Sequence, residues 1–550
     1  MIKTWFKSGT PWVWLNAAAV STSLIMVIGL LVLIAVRGLG HFWPADIVDY
    51  DYKDANGQKN IVGEWVETRI LTAAQAKDAG YTVLNGADHL EQRLIKTGNR
   101  DITGQDFVWI DAQYIQHTDY PEDLIKIERR EWGNFYGWLK AVKEKGKVIA
   151  EGKKAYEAIQ PRIDYARELF DQIEHLQKNE IGSINYKLER LRLKQRKLEL
   201  EGEWTEQAKK DIVEQRAELD KQYKIFQKQL LELNQKIGRD SLVAATASGQ
   251  EVEIPLKKVV ELILPNAMNV FEKSWEYGKQ FIAFVTEDPR EANTEGGIFP
   301  AIFGTVMMVL LMAVLVTPFG VIAAVYMREY AKQGMITRVI RIAVNNLAGV
   351  PSIVYGVFGL GFFVYILGGN IDRLFFPEAA PAPVFGTPGL LWASLTLALL
   401  TLPVVIVSTE EGLSRIPKSI REGSLALGAT KAETLWRTVL PMASPAMMTG
   451  LILAVARAAG EVAPLMLVGV VKLAPTLPVD GNFPFLHLDR KFMHLGFHIY
   501  DVGFQSPNVE AARPLVYATS LLLVMVIIGL NLFAINVRNH LREKYKALEN

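Results

Sequence analysis

Long apolar stretches alternate with charged segments along the 550-residue chain. Six of these stretches contain almost no charged residue. At 1.5 Å per residue in a helix, each is long enough to cross a hydrocarbon core of about 30 Å, which takes about 20 residues. The pattern therefore predicts an integral membrane protein with six transmembrane helices, at residues 14–36, 299–327, 342–371, 385–409, 441–471 and 514–537.

The first apolar stretch has a competing interpretation as a signal peptide, because Lys3 and Lys7 precede it. Its length argues against that interpretation, since the apolar part of a signal peptide has about 7 to 15 residues. The sequence Arg37-Gly38-Leu39-Gly40-His41 is also a poor cleavage site. We therefore predict that residues 1–40 contain a short cytoplasmic segment and an uncleaved first span.

Positive charges in short loops indicate which side of a membrane is cytoplasmic. They collect after the second, fourth and sixth stretches, which predicts that both termini are cytoplasmic and that residues 541–550 form a cytoplasmic tail. The residues are Arg328, Lys332, Arg338, Arg341, Arg415, Lys418, Arg421, Lys431, Arg437, Arg538, Arg542, Lys544 and Lys546. The polar segment at residues 41–297 is then extracytoplasmic, because large domains are exported whatever their charge.

The first part of this polar segment, residues 41–121, has the pattern of β-strands. Hydrophobic and polar residues alternate at 61–70 and 107–110, and Asn85-Gly86 and Gly98-Asn99 are turn signals. A small β-rich region is therefore predicted there.

Residues 147–240 have the spacing of a coiled coil, with apolar residues at alternating steps of three and four. Gly202 lies between two such runs, which predicts an antiparallel helical hairpin that reverses there. A single long helix that pairs with another chain is the alternative. The runs are Ile181, Ile184, Leu188, Leu191 and Leu198, and then Leu219, Tyr223, Phe226, Leu230, Leu233 and Ile237.

Composition excludes several classes of protein. The chain has 60 Lys and Arg against 59 Asp and Glu, so it is not a globally basic nucleic-acid-binding protein. It has no cysteine, which excludes disulfides, thiolate nucleophiles and cysteine-ligated metals. It also lacks the Gly-x4-Gly-Lys-Ser/Thr loop that holds nucleotide phosphates, so active transport would need a separate ATPase.

The fifth apolar stretch contains two charged residues, Arg457 and Glu461. Each costs about 2.5 to 3.5 kcal/mol near the middle of a membrane, so such residues usually face protein or a water-filled path. A spacing of four places them on one face of a helix, where they can pair. One interpretation is a buried ion pair that holds helices together. The other is a polar path in which the guanidinium of Arg457 binds an oxyanion.

The loop before the fifth stretch predicts two short helices. Residues 420–427 favour a helix, Gly428 can end it with a positive φ, and residues 431–439 permit a second helix that ends near Pro441. Two helices in a membrane loop form a rigid feature that a cytoplasmic partner could hold. An amphipathic connector at the membrane surface is the alternative.

This loop resembles a motif of ABC importer permeases, written Glu-Ala-Ala, x3, Gly, x9, Ile-x-Leu-Pro. Here it reads Glu422-Gly423-Ser424, three residues, Gly428, nine residues, then Thr438-Val439-Leu440-Pro441. The sequences at 345–356 and 456–465 are similar to those of the phosphate-specific permeases, and the whole pattern suggests the A-type subunit. The resemblance covers about residues 298–537 and the first span.

The resemblance implies an all-α polytopic membrane protein with the fold of a type I ABC importer permease, into which an extracytoplasmic α+β domain with a coiled-coil hairpin is inserted. The permease core would be residues 298–540, with a cytoplasmic coupling loop at 410–441. The ATPase-coupling residues would be Glu422, Gly423, Ser424, Gly428, Leu440 and Pro441. The substrate path would contain Arg457, Glu461, Asn345, Asn346 and Ser352.

The resemblance also implies a complex in the bacterial inner membrane. Its other parts would be a homologous C-type permease, two ATPase subunits that bind the ATP, and a periplasmic phosphate-binding protein. The chain itself would bind phosphate and membrane lipid, but no cofactor, metal or nucleic acid, and would not be an enzyme.

Two alternative functions stay open at the level of sequence. The chain could be a C-type subunit, or a permease for sulfate or molybdate. It could instead be a sensor or scaffold that uses the coiled coil and needs the spans only as an anchor. That second alternative leaves the loop motif and the intramembrane charges without a role.

Overall fold

The computed structural model describes residues 8–55, 57–84, 87–506 and 509–545. The turn signal at Asn85-Gly86 and the tail residue Lys546 lie outside these ranges. The chain forms two compact units. The first, here called the helical unit, contains residues 1–41, 298–480 and 484–550, and begins with helix α1 (Thr10–Gly40). The second, the mixed unit, contains residues 42–297 and 481–483.

The first part of the mixed unit is a five-stranded antiparallel sheet with the strand order β4-β3-β2-β1-β5. Tyr50 on one strand lies opposite Ile61 on the next, and both are buried. The strands are β1 (Ile47–Asp54), β2 (Gly57–Thr72), β3 (His89–Lys96), β4 (Phe107–Asp111) and β5 (Ile115–Asp119), with short helices α2 (Ala73–Asp78) and α3 (Arg100–Thr103) between them.

A second antiparallel sheet of six strands follows, which the sequence did not predict. Its order is β10-β9-β7-β6-β11, with β8 paired to β7. The prediction of helix from Lys147 onward is wrong at its start, because Lys147–Glu151 is a strand. The strands are β6 (Leu124–Arg129), β7 (Phe135–Glu144), β8 (Lys147–Glu151), β9 (Asp240–Ala245), β10 (Glu251–Pro255) and β11 (Val259–Ile263).

Two features explain why pattern analysis missed this sheet. Strand β9 is buried at every position, so it shows no alternation. It also pairs with β7, about a hundred residues earlier in the chain, and such pairing is decided by tertiary packing. Lys126 on β6 forms a 2.6 Å ion pair with Glu64 on β2 and thereby links the two sheets. Burial alone would raise the pKa of Glu64, but Lys126 and Lys96 hold it below its usual value.

A long helical segment connects β8 to β9. It consists of α4 (Lys153–His175), a π-helical stretch (Leu176–Ile181), α5 (Gly182–Glu201) and, after a turn, α6 (Glu206–Ile237). The chain reverses at Gly202, which has a φ of 75°, so the structure contains a hairpin instead of one continuous long helix. Ile184 and Leu191 of the predicted seam are buried. The description of this hairpin as a coiled coil stays a prediction.

Helix α4 has a role beyond the hairpin. Its buried residues recur at steps of three and four and pack against the second sheet in one hydrophobic cluster. They are Ala155, Ile159, Ile163, Ala166, Leu169 and Ile173. The mixed unit then ends with α7 (Val270–Thr286), which Asn269 caps, and with the two-residue strands β12 (Pro289–Arg290) and β13 (Glu295–Gly296).

The helical unit contains six helices that are long and apolar enough to span a membrane, which confirms the predicted number for the described ranges. They are Thr10–Gly40, Phe299–Tyr330, Ser352–Phe375, Leu390–Arg415, Lys431–Gly460 and Ala512–Lys544. The fourth of them is the most buried, and its neighbours pack around it.

Both long and short helices follow residue 298. They are α8 (Phe299–Val325), α9 (Met335–Leu347), α10 (Ser352–Phe358), α11 (Gly369–Phe375), α12 (Leu390–Arg415), α13 (Lys418–Ala426), α14 (Lys431–Thr434), α15 (Leu440–Gly460), α16 (Leu465–Val468), α17 (Leu495–Tyr500) and α18 (Val509–Tyr545). Four π-helical stretches extend or join them: Tyr326–Tyr330, Gly359–Gly368, Leu435–Val439 and Asp501–Gln505.

The bounds of all six spans differ from the predicted ones, most of all in the third and the fifth. The third begins at Ser352, because Pro351 separates it from α9, whose Met335 and Ile336 are exposed. The fifth ends at Gly460, short of the predicted 471. The sheets lie within residues 41–297, the segment for which an α+β structure was predicted, and the all-α description applies to the helical unit.

Candidate functional site

The charged pair predicted in the fifth span lies at the end of helix α15. Gly460 is the last helical residue, and Glu461 is the C-cap, with an extended ψ of 134°. The prediction that both charges lie within a helix is therefore wrong for Glu461, because Gly460 and Pro464 favour a helix end at this point. The two side chains still meet, with Arg457 Nε 3.5 Å from Glu461 Oε1.

The surroundings of Arg457 are partly open. Its side chain is 35% exposed and that of Glu461 is 19% exposed. Ala454, Ala458 and Ala459 on the same helix are buried in the core of the helical unit. The guanidinium therefore lies at the boundary between packed small residues and accessible space, and its single ion pair is too long for a strong hydrogen bond.

The structure brings together two segments that are about a hundred residues apart in sequence. A Cβ added to Gly356 on α10 would lie 2.7 Å from Cα of Pro464, so only glycine permits this approach of the two backbones. Tyr355, next to Gly356, belongs to the same buried cluster as Leu465 and Val468. The chain after Arg457 is thus held against the start of the third span.

Tyr355, which the sequence analysis did not single out, belongs to the same buried cluster as Ala458, the residue after Arg457. Its ring is buried, and its hydroxyl donates a 2.6 Å hydrogen bond to the carbonyl oxygen of Leu347 at the end of α9. A tyrosine hydroxyl in a largely apolar stretch was the available signal.

The other predicted path residues lie on different helices from Arg457. Ser352 is half-buried at the first position of α10. Asn345 and Asn346 lie on the separate helix α9 and are exposed in the single chain. The backbone carbonyl of Asn346 accepts a hydrogen bond from the amide of Gly349, which closes the turn between the two helices.

The loop between the fourth and fifth spans is held by Arg421 on α13. One terminal nitrogen donates to the carbonyl oxygen of Ile416 at 2.7 Å. The other donates to the carbonyl oxygen of Leu413 and to Glu329 Oε1, both at 2.8 Å. Because Arg421 and Glu329 are 19% and 12% exposed, this pair is largely shielded from water. It fixes α13 to the ends of two membrane helices.

Further contacts fix the turn that follows α13. Gly428 has a φ of 89°, the left-handed conformation that the sequence predicted. The hydroxyls of Ser424 and Thr434 lie 2.9 Å apart across the turn. Lys431 contacts the carbonyl oxygen of Glu329 through its ammonium group. These contacts connect α13, the turn and the end of the second span, and the role of the loop as a rigid feature for a partner stays a prediction.

The second helix of the loop does not end near Pro441, contrary to the sequence prediction. It continues from Lys431 through a π-helical stretch at Leu435–Val439 into α15. Wider helical turns accommodate the backbone group that proline leaves without a donor. Leu440 and Pro441 therefore lie inside the fifth membrane helix, where both are half-buried.

The surface of the loop combines charge with exposed apolar residues. Glu422 and Gly423 are exposed on α13. Leu427 is 91% exposed and Trp436 is 76% exposed, although both are large and apolar. Such residues are typical of a surface that another protein covers.

Comparison with known proteins places these features in a family. Residues 316–546 match the model of the binding-protein-dependent transport system inner membrane component. The phosphate transport system permease protein PstA of Mycobacterium leprae is 36% identical over 240 residues, which are 43% of this chain and 69% of that protein. The chain belongs to this family of transport permeases.

Within the family, the similarity is to phosphate permeases. A probable phosphate transport system permease protein PstA of Methanocaldococcus jannaschii is 31% identical, over 46% of this chain and 79% of that protein. A solved structure of the MetNI methionine ABC transporter has 17% identity, covers 44% of this chain and 94% of that chain, and has a TM-score of 0.32. At that TM-score the structural similarity adds nothing to the assignment.

Proposed function

We propose that this chain is the A-type permease subunit of an ATP-driven importer of inorganic phosphate. It forms half of the translocation path and couples that path to a separate ATPase. The observation that carries the proposal is the half-exposed guanidinium of Arg457 at the end of an intramembrane helix, in a chain whose relatives are phosphate permeases. The same relatives favour phosphate over sulfate or molybdate.

Arg457 has the chemistry that binding of phosphate needs. Its planar fork of donors fits two oxygens of an oxyanion, and charge-assisted bonds of this kind are about twice as strong as neutral ones. Its 3.5 Å pair with Glu461 offsets the cost of the charge in the resting chain without occupying every donor. Phosphate would take up the free donors as the path opens, and Glu461 would keep it from binding too tightly to leave.

The loop from Glu422 to Pro441 is proposed to be the coupling element. Its exposed Glu422 and Leu427 would enter a cleft of the ATPase. The bonds of Arg421 to Leu413, Ile416 and Glu329 would then carry movement of the ATPase into the second and fourth spans. Since α14 continues into α15, the same movement would reach Arg457 through one helix.

The proposed complex lies in the bacterial inner membrane. A homologous C-type permease, two ATPase subunits that bind ATP and a periplasmic phosphate-binding protein complete it. Both termini would be cytoplasmic and residues 41–297 periplasmic. Because the chain has no cysteine, single cysteines at Val213 and Leu427, which are 60% and 91% exposed, can be labelled from either side of intact cells to test this topology.

The central experiment compares two arginine variants. The complex is purified through a tag on this chain, its subunits are identified, and uptake of labelled phosphate into reconstituted vesicles is measured. Arg457→Ala should abolish uptake while the complex still assembles. Arg415→Ala is the matched control, since Arg415 is 72% exposed and pairs with an exposed Glu411. Normal uptake by a correctly inserted Arg457→Ala variant would contradict the proposal.

A further inference from the structure

Helix α7 of the mixed unit presents an apolar face with no packing partner among the described residues. Phe271 is 87% exposed, Trp275 is 75% exposed and Ile282 is 61% exposed. Their spacings of four and seven place them on one side of the helix. Gly278 lies on the same side, with open space around it. This set of residues, Phe271, Trp275, Gly278 and Ile282, is here called the α7 stripe.

The opposite side of α7 is packed inside the mixed unit. Glu276 and Phe284 are buried there, at 4% exposure each. Lys279 forms a 3.0 Å ion pair with Glu276, and Lys273 contacts Asp46. The helix is therefore held firmly in one rotation, and its stripe stays exposed because of that packing and not because the helix is loosely attached.

The packed side of α7 also contacts Phe42, the first residue of the mixed unit. Phe42, the second residue after the end of α1, contacts Tyr277, Phe281 and Phe284, with ring centroids 6.1, 5.4 and 5.1 Å apart. Only His41 separates Phe42 from the last residue of α1, so α7 packs against the segment that directly follows the first predicted span. Trp43, 44% exposed, lies 6.3 Å from Tyr277.

The composition of this region matches a membrane interface better than a protein partner. Trp275, Trp43 and Tyr277 are the residue types that concentrate at the level of the lipid headgroups. Val36 and Leu39 near the end of α1 are also exposed, at 65% and 42%. A helix with one apolar face next to a membrane span typically lies in the plane of the interface.

We infer that α7 is an interfacial helix, and that the α7 stripe inserts into the outer boundary of the lipid bilayer. The inference depends on the chain being a membrane protein and not on phosphate as its substrate. The lysines of α7 are already paired with carboxylates of the chain, so insertion is driven by apolar area and not by anionic lipid.

The absence of cysteine makes a direct test possible. Phe271→Cys and, separately, Trp275→Cys carry a nitroxide in the full-length complex in zwitterionic lipid nanodiscs. Collision with oxygen reports lipid, and collision with a nickel chelate reports water. Ile25→Cys on α1, 71% exposed in an apolar helix, is the lipid reference. Val213→Cys on α6 is the water reference.

Insertion predicts that both α7 labels resemble the Ile25 label, with an oxygen-to-nickel accessibility ratio several-fold above that of Val213. The ratio should change little when anionic lipid is added. High nickel accessibility at both positions would show that the stripe faces water and would overturn the inference. Low accessibility to both reagents would also overturn it, because it would show that another protein covers the stripe. None of these readouts depends on transport, so failure of the phosphate assignment would leave them unchanged.

Discussion

Two arginines of the helical unit differ in how firmly hydrogen bonds hold their side chains. Arg421 makes three hydrogen bonds of 2.7 to 2.8 Å, two of them to backbone carbonyls, and its side chain is 19% exposed. Arg457 is 35% exposed and, in the part of the chain that the structure describes, forms one ion pair at 3.5 Å. The sequence alone does not show this difference between the two residues.

The difference separates a structural charge from one available to a ligand. Shielded donors with fixed acceptors stabilise one geometry, and removal of either partner leaves an uncompensated charge. A guanidinium with unused donors and partial access to solvent is available to bind an anion. This comparison predicts different outcomes for similar substitutions at the two positions.

The largest effect is expected for Arg421→Ala. It leaves Glu329 without its partner and two carbonyls without donors, which should cost about 3 to 5 kcal/mol of local stability. The melting temperature of the purified complex should fall strongly. Stimulation of the ATPase by the binding protein should also fall. In a double-mutant cycle with Glu329→Gln, the two effects should be far from additive. Additive effects would show that the pair does not hold the loop.

Substitution of Gly428 tests whether the conformation held by Arg421 matters. A Cβ at Gly428 meets no atom within 4 Å, so Gly428→Ala changes only the backbone strain at a φ of 89°. That strain is worth about 1 to 2 kcal/mol. ATPase activity should become partly uncoupled from phosphate uptake.

Gly423→Ala provides the control for that variant. Gly423 is helical and also has open space around it, so alanine there should be neutral or slightly stabilising. Equal uncoupling by the two variants would mean that the turn at Gly428 has no special role.

A more moderate effect is expected for Arg457→Lys. Lysine keeps the charge but loses the planar fork of donors, so the KM for phosphate should rise about tenfold. The melting temperature of Arg457→Lys should stay close to that of the unsubstituted complex, whereas the melting temperature of Arg421→Lys should fall. A large loss of stability in Arg457→Lys would show that Arg457, like Arg421, stabilises the fold and is not available to a ligand.

The smallest effect is expected for Glu461→Gln. An ion pair at 3.5 Å with partial exposure contributes about 1 kcal/mol or less, so thermal stability should hardly change. The affinity for phosphate should rise slightly, since the carboxylate no longer competes for Arg457. Uptake assays over a range of phosphate concentrations would detect this, and a lower affinity would mean that Glu461 assists binding.

The mixed unit shows where pattern analysis succeeds and where it fails. The reversal at Gly202 was predictable, because a glycine between two apolar runs is a local signal. The six-stranded sheet was not, since β9 and β7 pair across the whole hairpin and β9 has no alternating face. The packing of α4 on this sheet could not be recognised without the sheet itself.

The sequence by itself determined the six apolar helices, the loop motif and the presence of two charges in the fifth span, because each depends on residue type at short spacing. Tertiary structure alone decided which charges are free to act. Glu329 meets Arg421 from 92 positions away, and Gly356 meets Pro464 only after the helices pack. The physical reason is that solvent access and bond partners depend on neighbours that are distant in the chain, and these distinguish Arg457 from Arg421.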